Sequence, residues 1–430
     1  MDSYYFLLEL ALILLSTKAL GILTKRFAMP QVVGALLAGL LLGPAVLNVL
    51  QETPLLDDLS ELGVIVLMFT AGLTTDLDEL RKSGKAAFII ALIGVLVPLA
   101  GGTALACCFN RSPGAILENV FVGVVLTATS VSITVETLRE MGKLSTRAGN
   151  AILGAALIDD VLGIVALTIV TSLGGEDASL PLVVGKILLF FVLSGILGYV
   201  TFRVMNWWFR QYDRDKRRFA IMAFVFCLLL SYAAEEFFGV ADLTGAYIAG
   251  VIFAKTPRVA YLQSRFETLS DLLLSPVFFA SMGLEVTLPE MNGTVVLFSV
   301  LLLVVAIASK VIGCGLGARL CHYTPQESLR IGVGMISRGE VALIVANRGI
   351  STGMMKQEFF GPIVIVVIAT TILTPILLKL AYSSSAGVRE KPEQSAVVDR
   401  YEDAQAFDLA SQALLEDHER LMNSGKKDKS

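Results

Sequence analysis

The sequence predicts an all-α polytopic membrane protein with about thirteen transmembrane helices in two inverted repeats, two of the helices being discontinuous and crossed. Three observations support this fold class: a low content of charge, a succession of long apolar segments, and an internal repeat. Hydrophobic residues make up 55% of the 430 residues and charged residues only 17%, whereas a soluble domain carries about 25% charged residues. The net charge of −4, without a long basic run, excludes nucleic acid as a partner.

Apolar segments follow one another along most of the chain, and each is close to the length of about 20 residues that a bilayer-spanning helix needs. The first lacks a basic leading region and a small-residue cleavage site, so it is predicted to remain as a span and not to be removed as a signal peptide. We place the segments at approximately 4–23, 30–49, 59–77, 86–108, 116–138, 148–172, 180–204, 219–237, 241–255, 266–284, 294–320, 327–348 and 358–381.

Lys and Arg are distributed unevenly among the connections between these segments. Alternate connections carry almost all of them, and the other set carries only Arg111, Arg348 and Lys356. Because cytoplasmic loops are enriched in Lys and Arg, the N-terminus is predicted to lie outside the cell and the C-terminus in the cytoplasm. The membrane is predicted to be the inner or plasma membrane. The chain then divides into a transmembrane domain, 1–382, and a polar cytosolic tail, 383–430.

An internal repeat relates the two halves of the predicted membrane domain. The pattern Gly-Ala-x-x-Ala-Gly occurs at 34–39 and again at 245–250, 211 residues later. Two further matches follow in the same order at offsets of 210 and 211 residues, at 59–62 with 269–272 and at 72–73 with 283–284. The offset spans an odd number of predicted helices, so the halves have opposite orientations. Inverted repeats are typical of secondary transporters and disfavour a channel or a membrane enzyme.

Ionisable residues inside the apolar segments indicate where the chemistry lies, because a charge in the membrane is costly. Asp159 and Asp160 are adjacent in the middle of the sixth segment, and Lys310 lies well inside the eleventh. Two neighbouring carboxylates repel each other, so at least one needs a bound proton or a cationic partner. Lys310 offers that cation, either as a structural neutraliser of Asp159 or as a participant in proton coupling.

Two further segments are predicted to be interrupted helices. The twelfth contains Arg338-Gly339-Glu340, a Gly-flanked charged stretch that fits broken helix lining a polar cavity and not a lipid-facing surface. The fifth, its counterpart in the repeat, contains Thr129 and Ser130 in a hydroxyl-rich stretch. Arg338 and Glu340 are interpreted mainly as an internal structural pair. Thr129 and Ser130 either bind an ion or only satisfy backbone carbonyls.

These residues resemble the monovalent cation–proton antiporter superfamily, in the branch that contains the bacterial NapA Na+/H+ antiporters and the Kef potassium-efflux proteins. The resemblance covers about residues 5–381. Its motifs are Thr-Ala-Thr-Ser at 127–130, the Asp159-Asp160 pair followed by Val-Leu-Gly, Lys310, and Gly-Met-Ile-Ser-Arg-Gly-Glu-Val-Ala-Leu at 334–343. Many relatives have Pro where this chain has Ser337, so the chain departs from the family pattern at this position.

The resemblance implies a homodimer in which a core domain moves against a dimerisation domain. It further implies that Asp160 binds the cation, that Asp159 pairs with Lys310 when no cation is bound, and that the fifth and twelfth segments cross. Mapped onto this chain, the dimerisation part is about 1–77 and 219–284, the linker helix about 180–204, and the ion-transporting core about 86–172 and 294–381.

The sequence therefore predicts a secondary antiporter that exchanges cytoplasmic Na+ or Li+ for external H+ across the lipid bilayer, electrogenically and without a cofactor. Cation and protons would compete for Asp160. The alternatives are a K+/H+ antiporter or a K+ efflux protein of the same superfamily, and a membrane sensor that does not transport. Kef-type efflux proteins typically have Gln or Asn in place of Asp159 and a large cytosolic domain in place of the short tail, which disfavours that alternative.

Overall fold

The computed structural model describes residues 4–26, 29–75, 77–112, 115–173, 180–211, 216–256, 258–284, 293–351 and 353–383, and this part of the chain is almost entirely helical. The predicted tail lies outside the described residues except for Ser383. The helices are α1 (Tyr5–Arg26), α2 (Gln31–Leu42), α3 (Pro54–Leu73), α4 (Leu77–Phe109), α5 (Ile116–Thr127), α6 (Val131–Glu140), α7 (Arg147–Leu173), α8 (Leu180–Gln211), α9 (Lys216–Ala233), α10 (Asp242–Ala254), α11 (Val259–Leu269), α12 (Ser275–Leu284), α13 (Gly293–Leu320), α14 (Pro325–Gly334), α15 (Glu340–Ser351) and α16 (Phe360–Ser383). A π-helical turn, Ser270–Leu274, joins α11 to α12.

Eight helices within the described ranges are long and apolar enough to cross a membrane, with α5 and α6 counted as one. Others are apolar but short: α2 has 12 residues and α10 has 13. At 1.5 Å per residue, helices of that length reach about 18–20 Å, less than the roughly 30 Å of a bilayer's hydrocarbon core. The count of about thirteen crossings stays a prediction.

Several predicted boundaries differ from the structure, those of the second and fourth segments among them. The second segment, predicted as 30–49, is helical only to Leu42, where Gly43 caps the helix and Pro44 follows. Proline removes a donor and restricts the residue before it, so the apolar residues beyond it leave the helix. The fourth segment, predicted to start near 86, already begins at Leu77. Its first turns are charged but rich in good helix formers, which a search for apolar residues misses.

Both predicted interruptions are present. The chain leaves helical conformation between α5 and α6, where Ala128 and Ser130 have ψ angles of 135° and 108°. A second gap separates the end of α14 at Gly334 from the start of α15 at Glu340. At each gap, the carbonyls in the last turn of the preceding half-helix and the N–H groups in the first turn of the following half-helix lack partners within their own helices.

Helices α3 and α10 cross at glycines from two of the repeated motifs. A Cβ atom on Gly72 would collide with the carbonyl oxygen of Tyr247 and approach the backbone of Gly250 and Val251 within 2.9 Å. A Cβ on Gly250 would likewise meet the Gly72 Cα at 2.8 Å. Only glycine permits the two backbones to approach this closely.

Helices α2 and α12 cross in the corresponding way. A Cβ on Gly283 would meet Leu36 O and Leu40 N at 2.5 Å and Gly39 C at 2.8 Å. The residues of this second crossing correspond to those of the first at an offset of 211 positions. Leu36 corresponds to Tyr247, Gly39 to Gly250, Leu40 to Val251 and Gly283 to Gly72. The contacts of one crossing thus recur in the other, as a structural repeat requires, while the inverted orientation stays a prediction.

Gly72→Ala is expected to lower the free energy of unfolding by about 1–3 kcal/mol, because the added methyl group overpacks the α3–α10 crossing. The matched control is Gly195→Ala in α8, where a Cβ meets nothing within 4 Å. There the change is expected to be neutral or to stabilise by up to about 1 kcal/mol through helix propensity. The measurement is the thermal unfolding midpoint of each detergent-purified variant, and equal midpoints would contradict the close crossing.

Candidate functional site

A buried ion pair joins α7 to α13. The Lys310 Nζ donates to both carboxylate oxygens of Asp159, at 2.9 Å to Oδ1 and 3.1 Å to Oδ2. The Lys310 side chain is 0% exposed and that of Asp159 is 1% exposed. The structure therefore brings together the two charges that the sequence placed inside separate apolar segments.

Helix α4 packs against both helices of this pair. Gly94 of α4 faces Cys314, one turn after Lys310, and a Cβ on Gly94 would collide with the Cys314 Sγ. A close approach of α4 and α13 excludes water from the Lys310 side chain. A buried ion pair is stable only if the geometry between its two charged groups is good. The two hydrogen bonds from Lys310 to the Asp159 carboxylate provide that geometry.

The two interrupted helices are hydrogen-bonded to each other at their gaps. The Ser130 backbone N–H donates to Ser337 O at 2.8 Å. In return, the Ser337 hydroxyl donates to Ser130 O at 2.6 Å. A proline at this position could not make the second bond, so Ser337 uses its side chain to fix the crossing.

Neighbouring side chains extend this contact. The Thr134 hydroxyl, one turn into α6, donates to Gly334 O at 2.7 Å and lies 3.0 Å from the Ser337 Oγ. On the other side, a Cβ on Gly339 would lie 2.8 Å from the Ser130 Oγ. The absence of a side chain at Gly339 is therefore what lets the second gap pack against the first.

Arg338 is buried at 1% exposure and binds backbone carbonyls. Its guanidinium donates to Ile336 O, to Leu126 O at 2.8 Å and to Ala306 O at 3.3 Å. Leu126 belongs to the last turn of α5, where carbonyls lack intrahelical donors and a cation is favourable. The predicted pairing with Glu340 cannot be compared, because the side chain of Glu340 lies outside the described residues.

The remaining predicted site residues surround the first gap and the middle of α7. Thr129 is buried, and its hydroxyl donates to Thr127 O at 3.4 Å. The Ser130 and Ser132 hydroxyl oxygens are 3.2 Å apart. Asp160 is half-buried, whereas Asp159 is 2% exposed. Of the two adjacent residues, Asp160 is thus the less buried.

Sequence reasoning did not identify Thr134 and Thr371 as parts of this region. Thr371 of α16 donates to the carbonyl oxygen of Arg338 at 2.7 Å, so it satisfies the backbone of the second gap. A hydroxyl residue in a membrane helix commonly bonds a carbonyl of its own preceding turn. The sequence therefore carries no signal that separates these two threonines from the many others.

A cavity of about 1140 Å³ opens at the end of the molecule where the predicted cytoplasmic connections lie. One side of it is formed by α1, α2 and the α11–α12 helix, and the other by α6, the start of α7 and the start of α14. Charged residues of both signs line it. We call this cavity the vestibule.

Residues 11–381 match the family described as sodium/hydrogen exchanger, transmembrane. The chain belongs to this family. It is therefore also a member of the monovalent cation–proton antiporter superfamily, which confirms the resemblance found in the motifs and makes the protein a multi-pass membrane protein and a secondary transporter by family.

Bacterial antiporters are similar to this chain over most of its length. The chain is 39% identical to the Na(+)/H(+)-K(+) antiporter GerN of Bacillus cereus over 382 residues, which cover 89% of this chain and 97% of that protein. It is 36% identical to a Na(+)/H(+) antiporter of Enterococcus hirae over 375 residues, 86% of this chain and 96% of that protein.

Among solved structures, the sodium proton antiporter MjNhaP1 from Methanocaldococcus jannaschii has the same fold. Its electron-microscopy structure superimposes with a TM-score of 0.67 at 16% identity, over 91% of this chain and 100% of that one. At that identity the likeness concerns the fold alone.

Lys310→Met is expected to destabilise the protein by about 3–5 kcal/mol, because it leaves the Asp159 carboxylate buried without a cation. Adding Asp159→Asn to Lys310→Met is expected to recover part of that loss, since the uncompensated charge is removed. The measurement is the thermal midpoint of the two single variants and the double variant.

The matched control for this pair is Lys356→Met. Lys356 also faces a carboxylate, Glu118 at 3.4 Å, but its side chain is 42% exposed. A surface pair contributes about 0–1 kcal/mol, so this variant should unfold close to the wild type. A Lys310→Met midpoint no lower than that of Lys356→Met would refute the uncompensated-charge argument.

Proposed function

We propose that the protein exchanges cytoplasmic Na+ or Li+ for external protons by alternating access, with the cation and protons competing for Asp160. The observation that carries this proposal is the half-buried Asp160 carboxylate directly beside the buried Asp159–Lys310 pair. Membership of the sodium/hydrogen exchanger family supports it, as do relatives that are named Na(+)/H(+) antiporters.

The chemistry at Asp160 follows from the preferences of a small monovalent cation for oxygen ligands. A carboxylate binds such an ion only when it is deprotonated, so a proton and a cation exclude each other there. The hydroxyls of Thr129 and Ser130, beside the first gap, would supply further oxygens, and the interrupted backbone frees carbonyls that an unbroken helix would use internally. A high external proton activity then displaces the cation.

The pair of Asp159 and Lys310 would couple a second charge to the exchange. A cation bound at Asp160 places positive charge next to Lys310, which weakens the bond between Lys310 and Asp159. Lys310 would release its proton to the cytoplasm as the cation binds and take up a proton from outside after the cation has left, so that Asp160 and Lys310 together carry two protons inward for each cation that leaves. The net inward charge gains about 2.3 kcal/mol per 100 mV, which at 1.4 kcal/mol per decade sustains roughly a fifty-fold sodium gradient.

The architecture proposed for this exchange has a moving core and a static part in each subunit of a homodimer. The core is about 86–172 and 294–381, the dimerisation part about 1–77 and 219–284, and the linker helix about 180–204. The vestibule lies where these two parts meet. The recurrence of the glycine crossings in α2–α12 and α3–α10, which lie within the dimerisation part, supports a rigid frame built from two inverted repeats.

Asp160→Asn is expected to abolish cation-induced proton flux, because an amide neither exchanges a proton nor binds Na+ as a carboxylate does. The measurement uses purified protein in vesicles with a pH-sensitive dye and pulses of NaCl, LiCl or KCl between pH 6 and 9. In the wild type, the apparent KM for the cation should rise as the pH falls, since protons compete for the same carboxylate.

The matched control is Asp58→Asn, the same substitution at an exposed carboxylate, which should leave the flux unchanged. Residual flux of more than a few per cent in Asp160→Asn would refute Asp160 as the ion-binding carboxylate. A wild-type signal with K+ alone would replace the proposal by potassium–proton exchange, and silence with every cation in folded protein would indicate a sensor.

Asp159→Asn is expected to give slower exchange that no longer responds to membrane voltage, because the Lys310–Asp159 pair is the proposed second coupled group. The measurement is the initial proton flux with and without an imposed potassium diffusion potential. Unchanged voltage dependence in this variant would reject the two-proton stoichiometry while leaving the role of Asp160 intact.

A further inference from the structure

The C-terminal half of α6 carries three charged residues, Glu136, Arg139 and Glu140, which take no part in the ion site described above. All three line the vestibule. Helix α6 begins at the first gap, beside Ser130, and ends with these charges. Glu136 pairs with Arg139, and Arg139 and Glu140 contact residues of the proposed dimerisation part.

Arg139 connects α6 with the turn between α11 and α12. Its guanidinium binds Glu136 with two hydrogen bonds, from Nε to Oε2 at 3.0 Å and from Nη2 to Oε1 at 2.8 Å. This fork fixes the guanidinium plane. The same Nη2 also donates to Asp271 Oδ1 at 2.5 Å, and Asp271 lies in the π-helical turn Ser270–Leu274. Single π-helical turns frequently mark functional positions.

Glu140 connects α6 with α2. Its carboxylate accepts the backbone N–H of Gln31 at 2.6 Å and that of Val32 at 3.1 Å. First-turn N–H groups have no acceptor within their own helix, and the N-cap residue Pro30 provides no side-chain cap. The cap of α2 is therefore supplied by a residue from a distant helix, with a negative charge that the helix N-terminus favours.

We propose that Glu136, Arg139 and Glu140 form an ionic latch that holds the core against the dimerisation part in the state seen here. This inference rests on the proposed function, because it takes α6 as part of a moving core and takes α2 and Asp271 as part of the static frame. Movement of the core must then break two contacts, Arg139 with Asp271 and Glu140 with the first turn of α2.

The setting of the latch suits contacts that form and break in each cycle. The side chain of Asp271 is 58% exposed, and that of Arg139 is 17% exposed. Water in the vestibule can therefore hydrate both groups when they separate, unlike the sealed Lys310–Asp159 pair. The vestibule lies at the predicted cytoplasmic end in the latched state, and in the proposed cycle this is the state that accepts cytoplasmic cation, so the latch would raise its population.

The first test measures transport in everted membrane vesicles, where the added cation meets the cytoplasmic face. Arg139→Gln and Asp271→Asn are each expected to raise the apparent KM for Na+ by about three-fold or more, because a smaller fraction of the protein occupies the binding-competent state. The maximal rate should not fall. The double variant should differ little from either single variant, since both remove the same contact.

The matched control is Arg147→Gln. Arg147 lines the same vestibule and carries the same charge, but it pairs with Glu327 at 3.5 Å, and both residues lie in the proposed core. This variant should leave KM unchanged. A KM shift in Arg147→Gln equal to that in Arg139→Gln would overturn the latch and indicate a general effect of vestibule charge, as would additive shifts in the double variant.

The second test measures amide hydrogen exchange at Gln31 and Val32, and its readout does not need transport. Glu140→Ala should speed exchange there about ten-fold or more, because the capping carboxylate is gone. In the wild type, turnover with Na+ and a proton gradient should also speed it, as the latch opens in each cycle. Exchange that is unchanged in Glu140→Ala, or indifferent to turnover in a protein that transports, would overturn the latch.

The two tests separate failure of the latch from failure of the proposed function. Wild-type vesicles without any cation-induced proton flux would reject the antiport proposal and with it the movement that the latch regulates. Normal wild-type flux with unaltered KM in Arg139→Gln and Asp271→Asn would reject the latch alone.

Discussion

Three ionisable side chains buried in apolar surroundings, Asp159, Lys310 and Arg338, impose the main constraint on this structure. Each must find a partner, because an unpaired charge out of water is far more costly than any single packing contact. Lys310 and Asp159 satisfy each other across α7 and α13. Arg338 depends on carbonyls at helix ends and at the second gap, so the gaps and the buried arginine require one another.

The sequence predicted much of this region because charges and glycines inside apolar segments can be recognised from the order of residues alone. The positions of Asp159, Lys310 and Arg338 inside apolar segments predicted that these side chains have buried partners, and the glycine next to Arg338 predicted an interrupted helix. The bond from Ser337 to Ser130 and the cap that Glu140 places on α2 were not predictable in this way. They depend on which helices meet in three dimensions, and hydroxyl and surface carboxylate residues have too many alternative partners.

Helix α6 connects the crossing of the two interrupted helices with the latch. It starts at Ser130, in the crossing that the proposed ion site adjoins, and ends at Glu140 in the latch, about 15 Å away at 1.5 Å per residue. A helix of this length is stiff, and its first turn is bonded to the second gap through Thr134. A displacement at the vestibule is therefore transmitted to the crossing as a movement of the whole helix and not as a local distortion.

The shortness of α2 and α10 has an electrical consequence. Helices of about 18–20 Å are shorter than the roughly 30 Å of a bilayer's hydrocarbon core, so a water-excluding layer limited to their length would be thinner than the surrounding bilayer. The membrane voltage would then fall over that shorter distance, and the local field would be correspondingly stronger. In the proposed antiport, a bound ion would need to travel only part of the bilayer thickness to experience most of the potential difference, and a modest displacement of the core would suffice to couple transport to voltage.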